Sequence, residues 1–248
     1  MEPQPPVLPP PPPAPAPRSP RWGLGDFLVG LIGGWALAGL AGALWVAISG
    51  DTELGLAGQA FSQAGLWTGM AGTALVASRR KGAGTLAEDF GFRARGIDVG
   101  IGLIVGLAVQ LLVLPIVAYV MRPLLGEPEV SGPVQELLDK AQGLAFFGLI
   151  LSVAVGAPLV EELFFRGLLL RSLQRRMPNV FAIALSALAF GFAHGSALPL
   201  KAVALVMISL TLFGAILAAL AIRTGRLGPS IVAHSVFNLF TLLYLNFT

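Results

Sequence analysis

Seven stretches of this chain run for 20 residues or more without an Asp, Glu, Lys or Arg: 27–50, 54–78, 99–121, 141–160, 177–200, 202–222 and 227–248. Each is long enough to cross a bilayer as a helix, which takes roughly 20 residues. A water-soluble helix keeps a polar stripe toward solvent and would not repeat this pattern so often. Windows 99–121 and 227–248 have the β-branched and aromatic content of strands, but lipid admits only helices and closed barrels, and their length favours helices. The expected fold is all-α: a polytopic membrane helical bundle with about seven transmembrane helices. Only 12% of residues are charged, against about 25% in a soluble domain. The 31 glycines suit closely packed membrane helices.

Residues 1–25 form a different unit. Eleven of the first 20 residues are proline, a composition that favours extended or disordered chain and cannot build a core. The expected organisation is a disordered cytoplasmic tail over 1–25 and a helical domain over 26–248. The apolar run after Arg18 and Arg21 is too long for a signal peptide and reads as an uncleaved first helix. Basic residues recur on alternate loops: Arg79, Arg80 and Lys81, then Arg171, Arg175 and Arg176, then Arg223 and Arg226. The positive-inside rule then predicts a cytoplasmic N-terminus and, after seven spans, an external C-terminus. The net charge of +3 is read as flank charge that orients spans, with the lipid bilayer as partner and no nucleic acid. Segment 122–140, with Pro123, Pro128 and Pro133, is too polar to cross and is expected to be an external loop or short surface helix. With no cysteine, thiolate metal sites and disulfides are excluded.

Three formal charges stand together at Glu161-Glu162-Leu163-Phe164-Phe165-Arg166, following 20 uncharged residues. On a helix, Glu162 and Arg166 lie one turn apart and can pair, whereas Glu161 points about 100° away and lacks that partner. A buried carboxylate without a partner is costly, which makes Glu161 a functional candidate. Gly156 and Pro158 are expected to kink the helix just before it and to free backbone groups there.

The chain has two histidines, both inside apolar windows: Phe190-Gly-Phe-Ala-His194 and His234-Ser-Val-Phe-Asn238. Asn238 is one turn from His234, so both can face one cavity. Counting from a turn near 177–179, Glu161 and His194 each stand about 22–24 Å along their helices, or about 13–15 Å inside the membrane once protruding polar turns are subtracted. His234 lies nearer the surface, about 6–10 Å from the start of its span. A Glu and a His can deprotonate water directly or through a metal that lowers the water pKa. A second His with an Asn can hold a developing oxyanion. The set suffices for amide hydrolysis. The same residues also suit a proton- or cation-coupled transporter, and a non-catalytic membrane scaffold or immunity protein is a third reading.

These three motifs resemble those of the CPBP intramembrane proteases, the family of CAAX prenyl endopeptidases and bacteriocin-processing or immunity (Abi) proteins, whose pattern is Glu-Glu-x-x-x-Arg, Phe-x-x-x-His and His-x-x-x-Asn/Asp. The resemblance covers residues 158–238 and implies a catalytic core over 141–248, with a site opening toward the cytoplasm. It implies that Glu161 and His194 activate water, and that His234 and Asn238 stabilise the oxyanion or complete a metal site. Glu162, Arg166 and Phe190 would play supporting, structural parts. A divalent metal such as zinc, held by Glu161, His194 and His234, is the alternative to direct water activation. The implied partner is a membrane-associated protein or peptide substrate, and the expected setting is a bacterial plasma membrane.

Overall fold

The computed structural model describes residues 20–50, 54–194 and 198–247. The Pro-rich segment therefore lies outside the described residues up to position 19. Nine helices are present among those described: α1 (Leu24–Ser49), α2 (Leu56–Lys81), α3 (Leu86–Phe90), α4 (Ile97–Leu125), α5 (Gly132–Lys140), α6 (Leu144–Gln174), α7 (Asn179–Ala193), α8 (Leu200–Thr224) and α9 (Gly228–Phe247). No strand occurs among the described residues, and the all-α membrane bundle expected from the apolar windows is what the chain forms.

Each charge-free window falls on one helix, with two refinements. Five helices, α1, α4, α6, α8 and α9, are long and apolar enough to cross a bilayer. The other two deviate for opposite reasons: α2 is 26 residues long but too polar, and α7 is apolar but only 15 residues long. Fifteen residues span only about 22 Å, so α7 stops part-way along its neighbours. The segment 122–140 divides between the end of α4, which continues through Pro123 to Leu125, and the short helix α5.

Close packing follows the small residues. On α1, Gly30, Gly34, Ala38 and Gly42 recur every fourth residue and are all buried; this stripe faces α2, as in small-xxx-small membrane interfaces. A side chain on Gly69 of α2 would run into the Gly34 backbone. Gly106 of α4 meets α9 in the same way, since a Cβ there would lie 2.6 Å from the Ala233 carbonyl. α7 packs on α8, so α1–α2, α4–α9 and α7–α8 form three tight pairs.

Helix α6 runs through the middle. Every residue from Glu162 to Leu170 is buried, whereas a peripheral membrane helix shows one side to lipid. Phe164 stacks on Phe27 with ring centroids 4.7 Å apart, and Phe165 meets Phe190 edge-on at 5.3 Å. Two segments of α6, Leu151–Gly156 and Glu162–Leu169, are wound as π-helix. The helix continues through Gly156 and Pro158, where the sequence predicts a kink. The wider winding accommodates the proline.

Most of the basic residues gather at one end of the bundle, Arg122, Lys140 and Lys201 standing at the other. Arg21 N donates to the Lys81 carbonyl at 2.7 Å, and Arg175 donates to the carbonyls of Pro20 (2.9 Å) and Trp22 while its guanidinium lies 3.9 Å over the Trp22 ring. Leu227 N and Gly228 N bond to the carbonyls of Gly91 and Arg93, at 2.8 and 3.0 Å. Arg226 Nε reaches Asp98 Oδ2 at 2.9 Å. Asp89, 6% exposed, organises the loop between α2 and α4. It accepts from Trp22 Nε1 (2.9 Å), Ser78 Oγ (2.6 Å), Ala83 N (2.9 Å) and Gly84 N (3.3 Å).

Candidate active site

The charged motif lies on the buried stretch of α6. Arg166 Nη1 stands 2.9 Å from Glu162 Oε1, both side chains fully buried, and Arg166 Nη2 donates to the Gly214 carbonyl of α8 at 3.2 Å. The guanidinium lies 4.2 Å over the Phe190 ring. Phe190 therefore shields the ion pair on one face. It also contacts both imidazoles, with centroids 4.6 Å from His194 and 5.6 Å from His234.

Glu161, one residue back, turns to a different neighbourhood. Its Oε2 lies 3.5 Å from His194 Nε2 and 3.9 Å from His234 Nε2. His194 gets there because α7 ends at that residue, inside the bundle. His234, nearer the surface by residue counting, nevertheless reaches the pair and is 3% exposed. Its Nδ1 sits 3.1 Å from Glu162 Oε1, so one imidazole touches both carboxylates, a bridge that residue counting along separate helices does not reveal. Phe213 of α8 closes the ring's other side at 5.5 Å.

The hydrogen bonds fix how the imidazoles present themselves. His194 Nδ1 faces the Phe190 carbonyl at 2.8 Å. A carbonyl can only accept, so Nδ1 carries the proton, and in the neutral ring Nε2 points a lone pair toward Glu161. His234 Nδ1, facing a carboxylate, donates by the same logic and likewise leaves Nε2 toward Glu161. Glu161 Oε2 is sealed from solvent and has no aligned hydrogen-bond donor among the described residues. Three acceptors facing one another in a buried site leave room for a shared proton or for a polar molecule with hydrogens to give.

Asn238 arrives by a different route. In the π turn before Pro158, Ala157 N bonds to Ser152 O, five residues back. The next carbonyl in that register, Val153 O, would need a hydrogen from Pro158, which has none. Asn238 Nδ2 fills the gap, donating to Val153 O at 2.7 Å. The proline thus does free a backbone group near the acidic pair, and α9 supplies its partner. One amide hydrogen of Asn238 is committed to this bond, and the side chain still lines the cavity beside His234.

Two cavities meet at the Glu161–His194 pair. One, about 290 Å³, is lined by Val153, Ala157, Phe237, Asn238 and Thr241 among others, with Val134 of α5 at its rim. The other, about 430 Å³, lies against α1 and α2, with Trp35, Gln59, Ser62 and Gln63 in its wall. Sequence reasoning missed these α2 residues. Their signal was present, since 59, 62 and 63 fall on one helical face, but no charge marks them.

Glu161, His194 and His234 were also the expected metal ligands. Zinc holds its donors at about 2.0–2.2 Å, which puts tetrahedral neighbours about 3.4 Å apart. Glu161 Oε2 and His234 Nε2 are 3.9 Å apart, and among the described residues no group of three His, Cys, Asp or Glu side chains is arranged to hold a metal ion. As placed, the donors do not fit one.

Residues 143–240, spanning α6 to α9 up to residue 240, match the family model described as type II CAAX prenyl endopeptidase Rce1-like. No curated protein and no solved structure matches the chain. The matched segment holds Glu161, Phe190, His194, His234 and Asn238, which line the cavities, and the buried Glu162–Arg166 pair beside them. Over those helices the chain is similar to the Rce1-like type II CAAX prenyl endopeptidases, a match that supports a CPBP-type intramembrane protease.

Proposed function

We propose that this protein hydrolyses a peptide bond of a membrane-associated protein or peptide inside its helical bundle, using water activated by Glu161 and His194. The observation that carries the reading is the 3.5 Å approach of Glu161 Oε2 to His194 Nε2 at the wall shared by two cavities. Both atoms are acceptors, so a water between them donates its hydrogens to them and turns its oxygen lone pairs toward a carbonyl carbon. Glu161 takes the proton as general base while His194, held by the Phe190 carbonyl, keeps the water oriented. Attack gives a tetrahedral oxyanion, which needs a donor. In this scheme His234 supplies it when the proton shared among Glu161, His194 and His234 sits on its Nε2, its other nitrogen being held by Glu162. The remaining amide hydrogen of Asn238 is the second candidate donor. Collapse of the intermediate returns the proton from Glu161 to the leaving amine.

Glu162 and Arg166 do not touch the cavity pair in this scheme. They hold His234 in register and lend the site a fixed buried charge. The test uses an S-farnesylated CAAX peptide carrying a fluorophore and quencher on either side of the scissile bond, with the purified full-length chain in detergent. Glu161→Gln keeps the side-chain volume but cannot take a proton, and turnover is expected to fall by about 10²–10⁴-fold, the usual contribution of a general base. Cleavage at the wild-type rate by a folded Glu161→Gln variant would remove the assignment.

A further inference from the structure

Helix α2 is long enough to cross a bilayer and fails only on polarity. Part of that polarity, Gln59, Ser62 and Gln63, sits on one helical face and lines the 430 Å³ cavity that also holds Glu161 and His194. Ser62 Oγ donates to the Ala38 carbonyl at 3.0 Å, and Gln59 Nε2 reaches the Leu54 carbonyl at 3.2 Å. The Gln63 carboxamide, half-buried, makes no hydrogen bond among the described residues. Such a group is costly in a membrane bundle unless something else arrives to satisfy it.

A carboxamide offers a donor and an acceptor together, the complement of a peptide group. Gln59 and Gln63 are one turn apart, about 6 Å along the axis. An extended peptide repeats its outward-facing N–H and C=O every second residue, about 6.6–6.8 Å. The two spacings match well enough for both glutamines to engage one strand. Along the same cavity that strand would meet Glu161 and His194. Past them the second cavity, walled by Leu210, Phe237 and Leu242, receives the substrate residues beyond the scissile bond.

The cavity also has a direction. Leu54, at the turn between α1 and α2, and Gln59 line it, and Gln59 stands about 33 Å along α2 from Lys81. Toward the basic end the way is filled by the buried stretch from Glu162 to Leu170. We propose that an extended peptide substrate lies along α2 with its main chain paired to Gln59 and Gln63, and that it enters from the end of the bundle opposite the basic layer. The proposal rests on the endopeptidase reading for its substrate class, but its direction of entry does not.

The absence of cysteine allows a direct test. Gln63→Cys and, as a reference at the basic end, Lys81→Cys each give a single thiol. A membrane-impermeant thiol reagent is applied to one side of sealed vesicles at a time. The expected result is that the two variants are modified from opposite sides, and that the farnesylated CAAX peptide slows modification of Gln63→Cys. Modification of both from the same side, or a labelling rate unchanged by saturating peptide, overturns the proposal. In detergent, Gln63→Leu is expected to raise KM about fivefold with kcat held within about twofold, as for loss of a hydrogen bond made equally in ground and transition states. An unchanged KM, or a fall in kcat alone, counts against it. If the wild-type protein cleaves nothing, the endopeptidase reading fails, and the sidedness of labelling still decides the entry.

Discussion

Two adjacent glutamates have different surroundings because successive helical residues diverge by about 100°. Glu162 faces Arg166 and His234 Nδ1, fully buried, while Glu161 faces His194 and His234 Nε2 at a cavity wall. The pair should therefore respond differently to the same substitution. Glu162→Gln leaves the buried Arg166 charge without its partner, and the thermal midpoint in detergent should show a loss of about 3–5 kcal/mol. Glu161→Gln should melt close to the wild type and lose only turnover, so a folded but inactive Glu161 variant beside an unstable Glu162 variant is the signature to look for. Because the donors do not fit a metal as placed, dialysis against a chelator should leave cleavage of the farnesylated peptide within about twofold of the untreated protein; loss of activity that zinc restores would reverse that expectation. Much at this scale was legible beforehand. The Glu162–Arg166 spacing and the isolation of Glu161 can be read from the letters alone. What could not be read was His234 standing between the two carboxylates, because it depends on how far α9 slides along α6, and that is set by packing between distant segments.

Among the elements, the α1–α2 pair walls the larger cavity and owes its closeness to glycine. Gly69→Leu should force the two helices apart, with a stability loss of about 1–3 kcal/mol typical of overpacking and a drop in peptide turnover. Gly72→Leu, on a face where an added Cβ meets nothing within 4 Å, is the control and should be near neutral in a thermal melt. The four-residue rhythm Gly30, Gly34, Ala38, Gly42 was there to be read in the sequence, whereas its partner surface was not. Charge-free windows identified where helices run but not where each of them ends. The helix that holds the window ending at Val160 continues to Gln174, as counting from a turn near 177–179 assumes, because buried charges can sit inside a span when they pair. The window 177–200 contains a helix that stops at Ala193, and that early end is what delivers His194 to the site.

For the molecule as a whole, one end is held by charge and hydrogen bonds and the other holds the cavities. Asp89 is the centre of the first. Burial alone would raise its carboxyl, but donors from Ser78, Ala83, Trp22 and Gly84 outweigh it and hold the group below the usual carboxylate range. As pH falls, the unfolded chain therefore takes up this proton first. The stability tied to Asp89 is complete above about pH 4 and drains away as pH drops through the lowered folded value. Asp89→Asn should cost about 1–3 kcal/mol near neutral pH, and its thermal midpoint should converge on the wild type's below about pH 4. A gap independent of pH would mean that the carboxylate charge is not what holds the loop. At the same end, Pro20 and Trp22 are fastened to Arg175, the residue that caps the helix of Glu161, 14 positions beyond that glutamate. A pull on the chain ahead of Pro20 would therefore load the end of α6, in line with Glu161.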